Sequence, residues 1–231
     1  MPPVRRRRPR VLALVAAHDE AGSIAETVLA LLRLEGVDRV VVVDDGSRDG
    51  TAGAGRAAGA RVLRTPRRLG KGGALEGALD RLDAAGVYLL VDGDLGASAG
   101  AVEPVLRAVV AREADLAIGV LPAPVGGGFG LVRRAAAGII RRLSGFSARA
   151  PLSGQRAVTR ECLWACRPLA GGFGVETAMV ADAARMGFRV VEVPAGLEHR
   201  GTGRDLPGFR HRAGQGLDVA AAAVPRLLGM R

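Results

Sequence analysis

Asp92-Gly93-Asp94 carries the sharpest chemistry in the chain. Two carboxylates at i and i+2 leaving a strand can face one side, and the glycine between them lets a ligand approach closely. Hard oxygen donors of this kind suit Mg2+ or Mn2+, which keep open positions for diphosphate oxygens. A calcium loop is the rival reading, because Glu103 falls at the twelfth position counted from Asp92. It fails because Gly96 and Ala97 stand where a ligand and the invariant glycine belong. The second candidate is Gly70-Lys71-Gly72-Gly73, which opens a helix. Amides at a helix N-terminus with an ammonium beside them favour a phosphate or diphosphate. Lys71 is the only lysine in the chain, which marks the position. The segment is no Walker A loop, since Thr65 stands at the first glycine position and no Ser/Thr follows the lysine. Nor does Gly-x-Gly-x-x-Gly follow the first strand, which argues against a dinucleotide-binding domain.

The elements that must position these residues alternate Val-rich runs with Ala/Leu/Arg segments of helical period. That pattern predicts an α/β fold with a mostly parallel sheet flanked by helices. Strands are expected at 11–17, 39–43, 61–63, 87–91, 116–120 and 189–193. Helices are expected at 23–34, 51–58, 72–82, 101–112, 131–143, 160–166, 176–186 and 217–228, the first with Ser23 and Glu26 at capping-box spacing. His18-Asp19-Glu20, Asp44-Asp45-Gly46-Ser47 and Asp92-Gly93-Asp94 each follow a strand. Ligands of open parallel sheets bind outside the carboxyl ends of the strands, so the three turns should converge on one crevice.

Composition bounds the remainder. The 231 residues suit one domain, expected over 11–231, in two halves at 11–120 and 121–231. A hydrophobic fraction of 48% with 3% aromatics means a core of Ala, Val and Leu. Aromatic platforms for single-stranded nucleic acid are nearly absent, so the net charge of +10 does not point to nucleic acid. Residues 1–10 read as a disordered basic tail, because the apolar run behind Arg5–Arg8 is too short for a signal peptide. No apolar run reaches the roughly 20 residues needed to cross a bilayer, so a cytoplasmic location is expected. Cys162 and Cys166 read as reduced core thiols.

Taken together, these residues resemble the family 2 type of GT-A glycosyltransferases. The resemblance is carried by Val15-Ala16-Ala17-His18-Asp19-Glu20, Val43-Asp44-Asp45-Gly46-Ser47-Arg48-Asp49-Gly50-Thr51, Leu69-Gly70-Lys71-Gly72-Gly73-Ala74-Leu75 and Val91-Asp92-Gly93-Asp94-Leu95. His18 departs from it, standing where many relatives carry Asn. The resemblance implies a metal-dependent enzyme that takes a UDP- or GDP-hexose. Ala17, Glu20, Asp45, Ser47, Gly70, Lys71, Asp92 and Gly93 would hold the donor, and Asp92 and Asp94 the Mg2+ or Mn2+.

The second half looks like two kinds of relative at once, polyprenyl- or dolichyl-phosphate sugar synthases and glucosyl-phosphoglycerate synthases. The shared residues are Phe173-Gly174-Val175-Glu176, Val191-Glu192-Val193-Pro194 and His199-Arg200. By that likeness His199 becomes a third metal ligand, and Glu176 an acceptor-orienting group or a base beside Asp94 and Lys71. Gly154, Arg200 and Arg204 are expected at the acceptor or its phosphate. The acceptor is expected to bear a phosphate, polyprenyl phosphate first and a small phosphorylated acid second. A sugar-phosphate nucleotidyltransferase is the rival enzyme, but Ala17–Gly22 lacks its Gly-rich Arg loop. The helix at 131–143, with four arginines beside an apolar side, could rest on an anionic membrane at the inner face. A homodimer is allowed.

Overall fold

The computed structural model describes residues 8–120, 129–172 and 174–196. The expected helix at 217–228 therefore lies outside the described residues. Seven strands form one sheet: β1 (Val11–Ala17), β2 (Arg39–Asp44), β3 (Arg61–Arg64), β4 (Val87–Asp92), β5 (Leu116–Val120), β6 (Arg156–Thr159) and β7 (Val190–Pro194). Their order is β3-β2-β1-β4-β6-β5-β7, and only β6 runs against its neighbours. The parallel strands read as unbroken apolar runs because both faces are covered.

Along β1, Val11, Ala13, Val15 and Ala17 pack on one face while Leu12 and Leu14 pack on the other. The first face is covered by α1 (Ile24–Leu32), α2 (Thr51–Ala57) and α4 (Glu103–Val110), with α4 entered through a 3-10 segment, Gly96–Val102. The second is covered by α3 (Lys71–Leu79), α5 (Phe129–Ser144), α6 (Arg160–Ala165) and α7 (Gly174–Arg185). Cys162 and Cys166 are free and buried in that second layer. Among the described residues, no helix is long and apolar enough to cross a membrane.

Four expectations need correction. The helix expected over 101–112 is a 3-10 segment followed by a shorter α-helix, since Pro104 fits only the first α-helical turn. Ser23 makes no cap bond to its helix; its hydroxyl turns back to the Glu20 carboxylate at 3.1 Å, so no capping box forms. Residues 8–10, expected in the basic tail, are held by the fold. Arg8 pairs with Asp38 at 2.8 Å, and the Arg10 carbonyl accepts from the amides of Gly86 and Val87. Finally, β6 was not expected at all, and it changes how the two halves meet. β5 bonds to β6 and β7 rather than to β4, so a division at residue 120 cuts through the sheet.

Candidate active site

The turns after β1 and β2 are sewn together by the side chains of the Asp-Asp-Gly-Ser-x-Asp-Gly-Thr string. The hydroxyl of Ser47 accepts from the Asp19 amide at 3.0 Å, and that of Thr51 from the Glu20 amide at 2.8 Å. The Asp49 carboxylate accepts from the Ala21 amide at 3.0 Å, and Asp19 in return accepts from the Arg48 amide at 2.7 Å. The Asp45 amide donates to the Ala17 carbonyl at 2.9 Å, and His18 Nδ1 lies 2.8 Å from the Asp45 carbonyl oxygen. Ser/Asp/Thr at this spacing thus satisfies backbone groups that a strand end leaves open. Ala17 and Ser47 are nearly fully buried within that network.

Asp45, expected at the nucleotide, reaches forward to the chain before Lys71. Its two carboxylate oxygens accept from the amides of Leu69 and Gly70 at 2.7 and 2.8 Å. That contact fixes the chain just before Lys71. Gly70 adopts φ +77, which suits glycine, and Gly72 lies so close to the 170–172 segment that a Cβ there would sit 1.8 Å from the Ala170 carbonyl oxygen. The N-terminus of α3 is therefore held from both sides.

Lys71 turns into the protein, its side chain only 14% exposed. Its ammonium lies 2.5 Å from Asp92 Oδ1 and 2.7 Å from Glu176 Oε1. Burial alone would lower the pKa of this ammonium; the Asp92 and Glu176 carboxylates outweigh it and raise the pKa above the ordinary lysine value. Glu176 is buried in the first turn of α7, and its Oε2 has no hydrogen-bond partner among the described residues.

The other oxygen of Asp92 is claimed by a residue sequence reasoning missed. Gln155 Nε2 donates to Asp92 Oδ2 at 2.8 Å while Gln155 Oε1 accepts from the Asp92 amide at 3.1 Å. This two-point clamp exists because β6 runs antiparallel to β4, pairing Leu90 with Arg156 and bringing the residues before β6 beside Asp92. Gly154 lies there too: a Cβ on it would fall 2.2 Å from Asp92 Oδ2 and 2.5 Å from Lys71 Nζ. Arg156, also missed, is almost wholly buried and donates from Nη1 to the Glu176 carbonyl at 2.7 Å and from Nε to the Ser153 carbonyl at 2.8 Å. Burial pushes its pKa down to about 10, against the Glu176 and Asp92 carboxylates that favour its charge. A Gln-Arg pair opening a strand was the available signal; both types are usually exposed, so their burial was not foreseen.

Gly93 packs against the end of β1, its amide donating to the Ala16 carbonyl at 2.9 Å and a Cβ there falling 3.0 Å from that of Ala17. The next carboxylate, Asp94, and Asp92 both act on Glu20, whose pKa is raised by burial first, against the lowering Ser23 bond, and then by these two charges. Glu20, Asp92 and Asp94 thus gather negative charge where β1 and β4 end, and the carboxylate oxygens of Asp92 and Asp94 are the hard donors a divalent cation would take. Among the described residues no three His, Cys, Asp or Glu side chains lie close enough to hold a metal by themselves. His199, Arg200 and Arg204 lie outside the described residues.

Fold and site together define an α/β protein with an acidic strand-end turn and a helix start whose lysine pairs with two carboxylates at the C-terminal end of β4. Residues 13–166 match the model of Glycosyl transferase family 2, and the chain belongs to that family. Glycosyltransferase AglJ of Haloferax volcanii is 32% identical over 203 residues, covering 84% of this chain and 65% of the relative. The chain thus spans somewhat under two thirds of that relative's length. The glucosyl-3-phosphoglycerate synthase of Mycobacterium tuberculosis in complex with phosphoglyceric acid superposes with a TM-score of 0.79 over 94% of this chain and 80% of that one, at 24% identity. The same enzyme with Mg2+ and uridine diphosphate gives a TM-score of 0.77 at 26% identity, covering 93% and 79%. The GT-A fold expected from the sequence is therefore the fold observed.

Proposed function

We propose that this protein transfers a hexose from a UDP- or GDP-hexose to a phosphate-bearing acceptor. The observation that carries the reading is the meeting of Lys71, Asp92, Gly154, Gln155 and Glu176 beside Asp94 at the C-terminal end of β4. Asp94 and Asp92 would hold Mg2+ or Mn2+, the ions found with uridine diphosphate in the solved relatives. Held there, such an ion would supply positive charge for the diphosphate leaving group. Gln155 holds the Asp92 carboxylate in one orientation, and Lys71 adds a positive charge beside it. Glu176, tied to Lys71 through Oε1, serves this reading as the group that orients Lys71.

Polyprenyl phosphate is the first acceptor under this reading, and it would bring the chain to the inner face of a membrane. A small phosphorylated acid is the second, favoured by the superposition on an enzyme that holds phosphoglyceric acid. The test is twofold. Nucleoside diphosphate sugars with Mn2+ should raise the melting temperature, because a ligand of the folded state shifts the equilibrium by mass action. Asp94→Ala should lose metal-dependent transfer to both acceptors; full activity in that variant would sink the mechanism.

A further inference from the structure

Glu192 is the middle residue of β7, and its side chain is only 4% exposed although the site described above makes no use of it. We propose that Glu192 is a positioning residue: with Arg156 it braces the 149–153 segment, and through that segment it holds Gln155 and Gly154 against Asp92. The inference rests on the glycosyltransferase reading above for the importance of Asp92. It gives a task to a motif that reading leaves idle, Val191-Glu192-Val193-Pro194.

The sheet sets the two charges on one face. Arg156 of β6 stands opposite Ile118 of β5, and Ile118 stands opposite Glu192 of β7. Residues paired across strands point to the same side, and Ile118 belongs to the layer covered by α3, α5, α6 and α7. Guanidinium and carboxylate therefore flank one buried isoleucine on that face. A single stretch of backbone joins them, and its polar groups are divided by sign. Glu192 Oε1 accepts from the amides of Arg149 and Ala150, each at 2.7 Å, and Oε2 accepts from Arg149 Nε at 3.0 Å. Arg156 donates to the carbonyls of Pro151 at 3.3 Å and Ser153 at 2.8 Å. The anion thus holds N–H groups at the head of the segment, and the cation holds carbonyls at its tail.

What the brace positions comes directly after it in the chain. Gly154 follows, so close to Asp92 and Lys71 that a Cβ would collide with both, and Gln155 then takes the Asp92 amide and Oδ2. Arg156 also holds the Glu176 carbonyl at 2.7 Å, so the start of α7 is tied to the same segment. An apolar side chain at 192 would fill the same face without the desolvation a carboxylate suffers there. Packing alone does not call for the charge, and the hydrogen bonds it accepts come from residues 149 and 150. A segment released at its head would let Gln155 drift, and small displacements of a group that holds substrate lower the rate steeply.

Substitutions at 192 separate bracing from packing. Glu192→Gln keeps an oxygen for the two amides, and Glu192→Leu keeps none; Glu192→Asp, one methylene shorter, replaces the leucine variant if that one does not fold. The first readout needs no ligand. It is exchange of the Asp92 amide hydrogen, which Gln155 Oε1 accepts, followed by NMR beside the amides of β2 toward the other side of the sheet. In Glu192→Leu the Asp92 amide should exchange about tenfold faster or more, relative to any change in β2, and in Glu192→Gln it should stay protected. Equal changes at Asp92 and in β2 would show a general loss of stability and overturn the proposal. The second readout is kcat for hexose transfer, in a cycle with Gln155→Met. Glu192→Leu should lower turnover about tenfold or more, Glu192→Gln should recover most of it, and the leucine should add little once Gln155 is gone. Losses that multiply would mean that Glu192 does not act through Gln155, which also overturns the proposal. A wild type that transfers no hexose would sink the glycosyltransferase reading, and amide exchange would still decide on the brace.

Discussion

At the scale of single residues, the site depends on an ion triad with one cation between two carboxylates. Removing the partner of a buried charge is costly because the remaining charge has been taken from water without compensation. Lys71→Met should therefore destabilise the fold by about 3–5 kcal/mol, read as a lower urea midpoint. The sign of its pH dependence follows from linkage. Lys71 has a raised pKa when folded, so its stabilisation is complete below the ordinary lysine value of 10.5 and is lost as pH rises beyond it. The stability gap between wild type and Lys71→Met should accordingly be constant near neutrality and narrow above that value. Comparing the two proteins also removes Arg156 from the measurement, whose lowered pKa acts in the opposite direction. A gap that stays open at the alkaline end would show that Lys71 is held by packing instead of charge.

At the scale of elements, the short crossings matter most. Gly154 sits where the approach to β6 passes Asp92 and Lys71, and Gly72 where α3 passes the 170–172 segment. The two glycines should respond differently to alanine. At Gly154 the added methyl meets the ends of two side chains, which can swing aside, so Gly154→Ala should keep its melting temperature within a few degrees while turnover falls about tenfold or more through a displaced Asp92. At Gly72 the methyl meets a backbone carbonyl, so Gly72→Ala should cost about 1–3 kcal/mol in stability. Equal loss of stability in both would contradict this division.

The same crossings explain what could be read in advance. β1, β2 and β4 were legible because a doubly covered strand is a continuous apolar run ending abruptly in acid or glycine. The strand-end turns were legible for the same reason. β6 was not, because its four residues begin with a buried arginine, and local pattern cannot distinguish that from the start of a loop. The Gln155 clamp and the Arg156 anchor depend on that strand's reversed direction, a property of pairing between distant segments. The bonds from the amides of Leu69 and Gly70 to Asp45 are not legible either, since the sequence neighbours of Asp45 do not show that those amides lie in reach.

At the scale of the whole molecule, the two halves of the chain share one sheet through β6. Leu89 and Leu90 of β4 pair with Ala157 and Arg156, and Leu116 and Ala117 of β5 pair with Val158 and Ala157. A fragment ending at residue 120 would leave β4 with an open apolar edge, which invites association with another chain. Such a fragment should elute as aggregate on size-exclusion chromatography and show no cooperative melting, whereas the full chain melts in one transition. A soluble, cooperatively melting fragment would mean that the first half of the chain is a separable domain.

That wedge strand also imposes an order on synthesis. A ribosome makes residues 116–120 well before residues 156–159, yet β5 has no neighbour in the sheet until β6 has emerged and turned back between it and β4. The emerging chain must therefore carry a finished three-plus-one-strand platform, β3-β2-β1-β4, and an unattached fifth strand for the time taken to make about forty more residues, a few seconds at ordinary translation rates. Gln155 arrives just before β6 and Glu176 only after that interval, so the lone lysine waits longer for its second carboxylate than for its first.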